Sequence, residues 1–326
     1  MDPTENANRN VEEILSTLGG GYEGASIEAL STLPHSHVAR LTRTDGRSVI
    51  FKQAGGADFA PGMLKELVIN RDVLSRLPQL AAPVLLDCDA EADLPWLIFE
   101  DVSRSHQPAK QPPSDEQIAN FVGALAMTHA QSATLPLSDL FALVEGDIHV
   151  GDGAELVPVL LDSFLRSADP APLPRGTFEM LVRIRDGIPT LGGQLQSQPG
   201  VLVHGDAHFG NAFYRTDDAV LIDWALAVIG PGEVDLCHAL AMNLPRHIGA
   251  NHEKEMMRQY TAVCSEFGHP LTEREVFTRY QNCLLLTVIV AVGMSTVPGM
   301  TEPVSQYMIT NAVNAAIEHD SLAFLG

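Results

Sequence analysis

The stretch "VLVHGDAHFGN", Val201 to Asn211, gathers His204, Asp206, His208 and Asn211 directly behind an apolar, strand-like run. Twelve residues after Asn211, Asp223 closes a second apolar run, "AVLIDW". A loop that fixes Asp206 between two strands can aim its carboxylate at a substrate hydroxyl. Asn211 and Asp223 offer hard oxygen ligands that suit Mg2+ bound to nucleotide phosphates. One carboxylate then meets an alcohol while the other stays ionised to hold the metal. The competing readings are a metal-dependent hydrolase and a polar turn that happens to hold two histidines. A binuclear hydrolase needs further Asp/His clusters, and around His35, His37, His106 and His129 upstream there is no ligand-spaced pair like a D-x-H.

These residues need elements to hold them. "IEAL", "HVARLTR" and "SVIFK" read as strands, the last two joined by a "TDGR" hairpin turn. "PGMLKELVINRDVLSRLP" reads as one helix bounded by Pro61 and Pro78, with Leu64, Leu67, Val68, Leu74 and Leu77 on an apolar face. "APVLLDCDAEADLPWLIFEDV" adds another hairpin. Ala25 to Val102 is therefore expected to form an antiparallel sheet crossed by one helix, preceded by a short helix, "VEEILSTL", and by "GGGYEG". The polar, proline-rich "SRSHQPAKQPPSDEQ" marks a boundary, giving regions 1–102 and 103–326. Beyond it, helices are expected at about 116–131, 156–168, 177–195, 252–267, 272–294 and 303–320, interrupted by strands within 201–224. The class is α+β.

Composition narrows the partners. Forty-one acidic residues against twenty Lys and Arg give a net charge of -21, which disfavours a nucleic-acid backbone. The same charge is compatible with a cationic small molecule, or simply keeps the protein in solution. Cys88, Cys237, Cys264 and Cys283 are scattered without metal-ligand spacing, which fits a reduced compartment. "MDPTENANRN" lacks the pattern of a signal peptide. "LLLTVIVAVGM" reads as too short to span a bilayer and as a buried helix. A cytoplasmic protein without a membrane partner is the expectation.

"VHGDAHFGN" followed by "LIDW" resembles the aminoglycoside phosphotransferase and choline kinase superfamily. Within it, "LIFEDVS", "HGDAHFGN", "LIDWALAVIGPGEVDL" and "RYQNCLL" look closest to the ecdysteroid-kinase-like branch of small-molecule kinases. The resemblance spans roughly residues 20–320 and is weakest at both ends and over 132–200. It implies a protein-kinase-like, two-lobe fold: a small antiparallel-sheet lobe that binds nucleotide and a larger, mainly helical lobe for catalysis and acceptor binding. It implies ATP and Mg2+ as cofactors and a small-molecule hydroxyl as acceptor. Asp206 then takes the catalytic aspartate role, Asn211 and Asp223 the metal positions, and His208 the place of a catalytic-loop lysine, where a purely structural role fits equally well.

The resemblance also makes demands of the N-terminal half. Lys52 in "SVIFK" would contact the α/β-phosphates and Glu66 would orient it, although an edge-strand lysine and a solvent-facing helix acid are the plain alternatives. The turn "LPHSH" lacks the glycines that cover phosphate in protein kinases, leaving Ser36 and nearby backbone N–H groups for that contact. "GGGYEG" sits too early to replace it and fits a lead-in or a lid. The backbone around Phe99, Glu100 and Asp101 is where adenine would bind, unless Glu100 and Asp101 are only the polar end of a strand. His204 and Asp235 read as structural support, His204 tying the loop together and Asp235 capping a helix and bracing the loop. Trp224 reads as packing. The activity implied is an ATP- and Mg-dependent phosphotransferase acting on an antibiotic, an amino alcohol or a steroid-like alcohol. A catalytically inactive nucleotide-binding scaffold and a metal-dependent phosphohydrolase are the alternatives.

Overall fold

The computed structural model describes residues 11, 22, 24–33, 35–77, 79–80, 82–142, 144, 148–169, 171–297 and 299–326. The expected helix at 11–18, Val11 apart, and most of "GGGYEG" lie outside them. β1 (Ser26–Leu33), β2 (Ser36–Thr42), β3 (Ser48–Ala54), β4 (Leu85–Asp89) and β5 (Trp96–Glu100) form one antiparallel sheet in the order β1-β2-β3-β5-β4.

The period-two pattern of β3 and β5 sorts side chains onto two faces. Leu41, Val49, Phe51, Trp96 and Ile98 form an apolar cluster on one face. Lys52 pairs in register with Leu97 on the other. There Ala54, Met63, Leu67, Leu97 and Phe99 pack the sheet against α1 (Ala60–Val68). Pro61 begins that helix, where a missing N–H costs nothing. The helix expected over 61–78 is not regular throughout. It widens into a π-helical turn at Ile69–Val73, where the Asn70 side-chain amide donates to the Glu66 carbonyl at 2.8 Å, and tightens into a 3-10 turn at Leu74–Arg76.

The helical part comprises α2 (Asp115–Ser132), α3 (Val157–Ser167), α4 (Thr177–Gln196), α5 (Glu233–Cys237), α6 (Arg246–Glu266), α7 (Glu273–Met294) and α8 (Glu302–Glu318). Capping boxes begin α2, at Ser114 with Gln117, and α7, at Thr272 with Glu275. α6 starts six residues before the expected 252. A Cβ at Gly249 would lie 2.2 Å from the Leu240 carbonyl oxygen, so the glycine permits a close approach there.

α7 has 22 residues, so the run inside it belongs to a helix long and apolar enough to cross a membrane, contrary to the expectation from length. Its apolar window is 61% buried within the fold, and Cys283, Leu284, Leu285, Val288 and Val292 sit in the core.

Between α4 and α5 two small sheets create the loop geometry. β7 (Val201–Val203) pairs with β10 (Val228–Gly230), while β6 (Gln107–Pro108), β8 (Ala212–Tyr214) and β9 (Ala219–Leu221) form a three-stranded sheet. The loop from β7 to β8 carries Asp206, and the segment from β9 to β10 carries Asp223.

Candidate active site

Asp235 is fully buried and organises the β7–β8 loop. Its carboxylate accepts the His204 N–H at 2.7 Å and the Gly205 N–H at 3.1 Å, and His129 Nε2 approaches at 3.0 Å. Burial would push this carboxyl up, but the bond and charge of His129 hold it below the ordinary range. Both oxygens are thereby engaged, so the expected helix cap is not made. α5 begins at Gly232 without a side-chain cap. His129 Nδ1 in turn meets the Tyr260 hydroxyl at 2.9 Å. Gly205 adopts φ 80°, and a Cβ there would come within 2.1 Å of the Leu226 carbonyl. No other residue fits this corner.

The rest of the loop is closed by its own side chains. His204 donates from Nε2 to the Ile222 carbonyl at 2.9 Å and receives the Asp206 N–H on Nδ1 at 3.3 Å. It ties the loop to the residue that follows β9. The Asn211 amide donates to the Asp206 carbonyl and to its Oδ2, both at 3.0 Å. Because both bonds use Nδ2, the Asn211 carbonyl oxygen remains the acceptor of that side chain. His208 accepts the Gly210 N–H on Nδ1 at 3.1 Å, and its Nε2 lies 3.6 Å from Asp206 Oδ2.

Lys52 crosses to this loop from the sheet. Its Nζ lies 2.6 Å from Glu66 Oε2 and 2.7 Å from Asp223 Oδ1. Burial alone would lower the Lys52 pKa, but the two carboxylates outweigh it and raise it. Glu66 is pushed up by burial, partly offset by Lys52. Asp223 is held down, since the Lys52 charge overcomes its own desolvation. The Asp223 side chain remains 43% exposed, and its backbone sits at φ 64°. That left-handed conformation is uncommon for a side-chain-bearing residue and clusters at functional sites. The neighbouring Trp224 is buried, with its ring 4.5 Å from that of His204. This is the packing role expected of it.

A cavity of about 180 Å³ opens beside Lys52, lined by Ile50, Phe99, Phe213, Ile222 and Trp224 among others. Glu100 and Asp101 also line it. The Glu100 N–H donates to the Val84 carbonyl at 2.9 Å. The Asp101 side chain is turned inward, accepting from Arg40, Ser48 and Ser103. It clasps β2 and β3 to the end of β5. Ser36 is buried at the start of β2, opposite Ala54, and does not line the cavity. A larger open depression of about 580 Å³, lined in part by Asp139, His149, Asp152 and Gly200, lies at the start of β7, the end away from Asp206.

One residue escapes motif reading. His238, buried one turn beyond Asp235, places Nε2 3.4 Å from Asp206 Oδ1. The available signal is its i+3 spacing from Asp235, which puts both on one helix face. Among the described residues, no group of three His, Cys, Asp or Glu is arranged to hold a metal ion.

A family model described as "Phosphotransferase enzyme family" matches residues 34–271. The chain belongs to the phosphotransferase enzyme family. No curated protein matches it. Solved structures of similar fold include a macrolide 2'-phosphotransferase type I, at 17% identity and TM-score 0.61, covering 94% of this chain and 97% of that one. A choline/ethanolamine kinase family protein from Mesorhizobium loti also has 17% identity and TM-score 0.61, covering 98% and 99%. An amicoumacin kinase in complex with AMP-PNP, Ca2+ and Ami has 12% identity and TM-score 0.61, covering 98% and 96%. These phosphotransferases share the kinase-like fold, a sheet-bearing N-terminal region before a helical part. They do not bear on the ecdysteroid-kinase-like branch.

Proposed function

We propose that this family member transfers the γ-phosphoryl group of ATP to a hydroxyl of a small molecule. The observation that carries the reading is the Lys52 ammonium held at 2.6 Å and 2.7 Å between Glu66 and Asp223, beside the loop that carries Asp206. Lys52 positions the α/β-phosphates, Glu66 holds Lys52, and the apolar cavity takes the adenine ring. With the Glu100 N–H engaged in the sheet, adenine hydrogen bonds fall to the backbone just beyond, from Asp101 onward.

The Asn211 carbonyl oxygen and the ionised Asp223 carboxylate are hard donors that fit Mg2+, with phosphate oxygens completing the shell. When bound, the ion neutralises charge on the β- and γ-phosphates. Asp206 orients the acceptor hydroxyl and takes its proton as oxygen bonds to the γ-phosphorus and the bond to the bridging oxygen breaks, releasing ADP. His208 sits beside Asp206 with Nε2 turned to the same oxygen, within reach of the transferred group.

The acceptor class favoured is a cationic alcohol, because a chain with net charge -21 raises the local concentration of cations. A hydrophobic, steroid-like alcohol is the other acceptor class. Incubation with Mg-ATP and a panel of aminoglycosides, macrolides, amino alcohols and sterols tests this by mass spectrometry. Gain of one phosphoryl group on a panel member supports the reading. A protein that binds Mg-ATP but phosphorylates none, including a broad alcohol library, would instead be a nucleotide-binding scaffold.

A further inference from the structure

The segment after α5 is built around His238. Residues His238–Met242 form a π-helical turn, closed by the Asn243 N–H donating to the His238 carbonyl at 3.2 Å. The Asn243 side-chain amide donates to the same carbonyl at 2.9 Å. α6 packs Gly249 close against the Leu240 carbonyl of this turn. Widened turns of this kind are frequent at functional sites. Here the turn keeps the His238 ring beside Asp206.

We propose that His238 is a positioning residue for Asp206, its Nε2–H holding one carboxylate oxygen while Asn211 holds the other. This rests on reading Asp206 as the base. The Asn211 bond to Oδ2 at 3.0 Å and the His238 approach to Oδ1 at 3.4 Å lie on opposite oxygens. Together they fix the plane of the carboxylate. At 3.4 Å the histidine contact is longer than a formed hydrogen bond, and such contacts tighten when substrate closes a site.

A carboxylate only accepts, so the ring must present N–H to it. Burial pulls the His238 pKa down to about 4 against the opposing charges of Asp206 and Asp235, with His208 and His204 adding to the fall. At neutral pH the ring is therefore an uncharged donor. It orients the base without neutralising it. Asp235 and His238 thus act from one helix face, the first on the His204 and Gly205 amides and the second on the side chain that follows.

The test compares His238→Phe, which fills the space without a donor, with His238→Gln, whose amide reaches the Nε2 position. The assay is phosphate release from Mg-ATP with water as acceptor, run alongside Asp206→Asn. His238→Phe is expected to lower kcat about tenfold or more with KM for Mg-ATP within about twofold, and His238→Gln to recover most of the loss. A loss in Asp206→Asn together with normal kcat in His238→Phe overturns the His238 role alone. Normal kcat in Asp206→Asn overturns the base assignment and the His238 role with it.

A second measurement needs neither turnover nor a folded variant at 238. Long-range proton–nitrogen spectra of histidine-labelled protein at pH 7 should show the Nε2–H tautomer of His238, shifted in Asp206→Asn. An Nδ1–H tautomer, or an Nε2 signal indifferent to Asp206, contradicts the proposal.

Discussion

Lys52 holds one charge against two acids, and removing it has two separate effects. Lys52→Ala leaves the buried Glu66 carboxyl without its cation, a change that costs about 3 kcal/mol when the acid stays charged. It also deletes a phosphate contact, so affinity for AMP-PNP should fall together with the rate. Titration calorimetry checks this, and unchanged nucleotide affinity in a folded Lys52→Ala protein would contradict the assigned role.

At this scale the sequence was informative where chemistry lies in one contiguous run. Asp206, Asn211 and Asp223 share the strand-bounded motif, and Lys52 and Glu66 follow from strand and helix positions. The side-chain fate of Asp101 was not legible, because Arg40 and Ser48, which draw it inward, come from other strands. His238 was hidden for the same reason. Its partner lies 32 residues earlier, across a strand pair and a loop.

The helices after α5 are held by one ionic network, buried at Glu253 and open to solvent at Glu318. Arg246 meets Glu253 at 2.6 Å and Glu318 at 2.6 Å, Tyr280 donates to Glu253 at 2.9 Å, and His319 Nε2 lies 2.8 Å from it. These contacts join α6, α7 and the end of α8. Burial would raise the Glu253 carboxyl, but His319 and Arg246 pull it down from 4.5 to about 2. A carboxyl with a depressed folded-state pKa stabilises fully above its unfolded value. Its contribution, about 3 kcal/mol, is lost as pH falls from about 4.5 towards about 2. Denaturant melts between pH 5 and pH 2 should show this loss, and Glu253→Gln should flatten it. An unchanged pH slope in that variant would remove Glu253 as the cause.

Gly249→Ala probes the same region differently. Its methyl would have to push α6 away from Leu240, costing about 2 kcal/mol or more, measurable as a lower denaturation midpoint. Unaltered stability would show that α6 can move. Periodicity found most of these helices, but it placed the start of α6 six residues late. The π-helical turns were likewise illegible, since each depends on contacts from a neighbouring helix or side chain.

Considered as a whole, the molecule brings Lys52 to Asp223, which is proposed with Asn211 to hold Mg2+, across 171 residues of chain. Two protein donors do not complete a Mg2+ shell, so the metal should bind weakly alone and strongly with nucleotide. Calorimetric titration of Mg2+ with and without AMP-PNP checks that coupling. Tight binding without nucleotide would contradict it. The hairpin–helix–linker–helix order made the kinase-like arrangement readable from sequence, whereas acceptor recognition depends on the facing surfaces of helices whose sequences mainly report core packing.

Replacing Asp206 tests the central claim most directly. Asp206→Asn keeps the size of the side chain and much of its hydrogen bonding but removes the charge and basicity. Acceptor-dependent transfer of labelled phosphate from ATP, paired with calorimetry using AMP-PNP, should show a rate loss on the order of 10²-fold or more at nearly unchanged Mg-nucleotide affinity. Near-normal transfer by a folded Asp206→Asn protein would contradict the account.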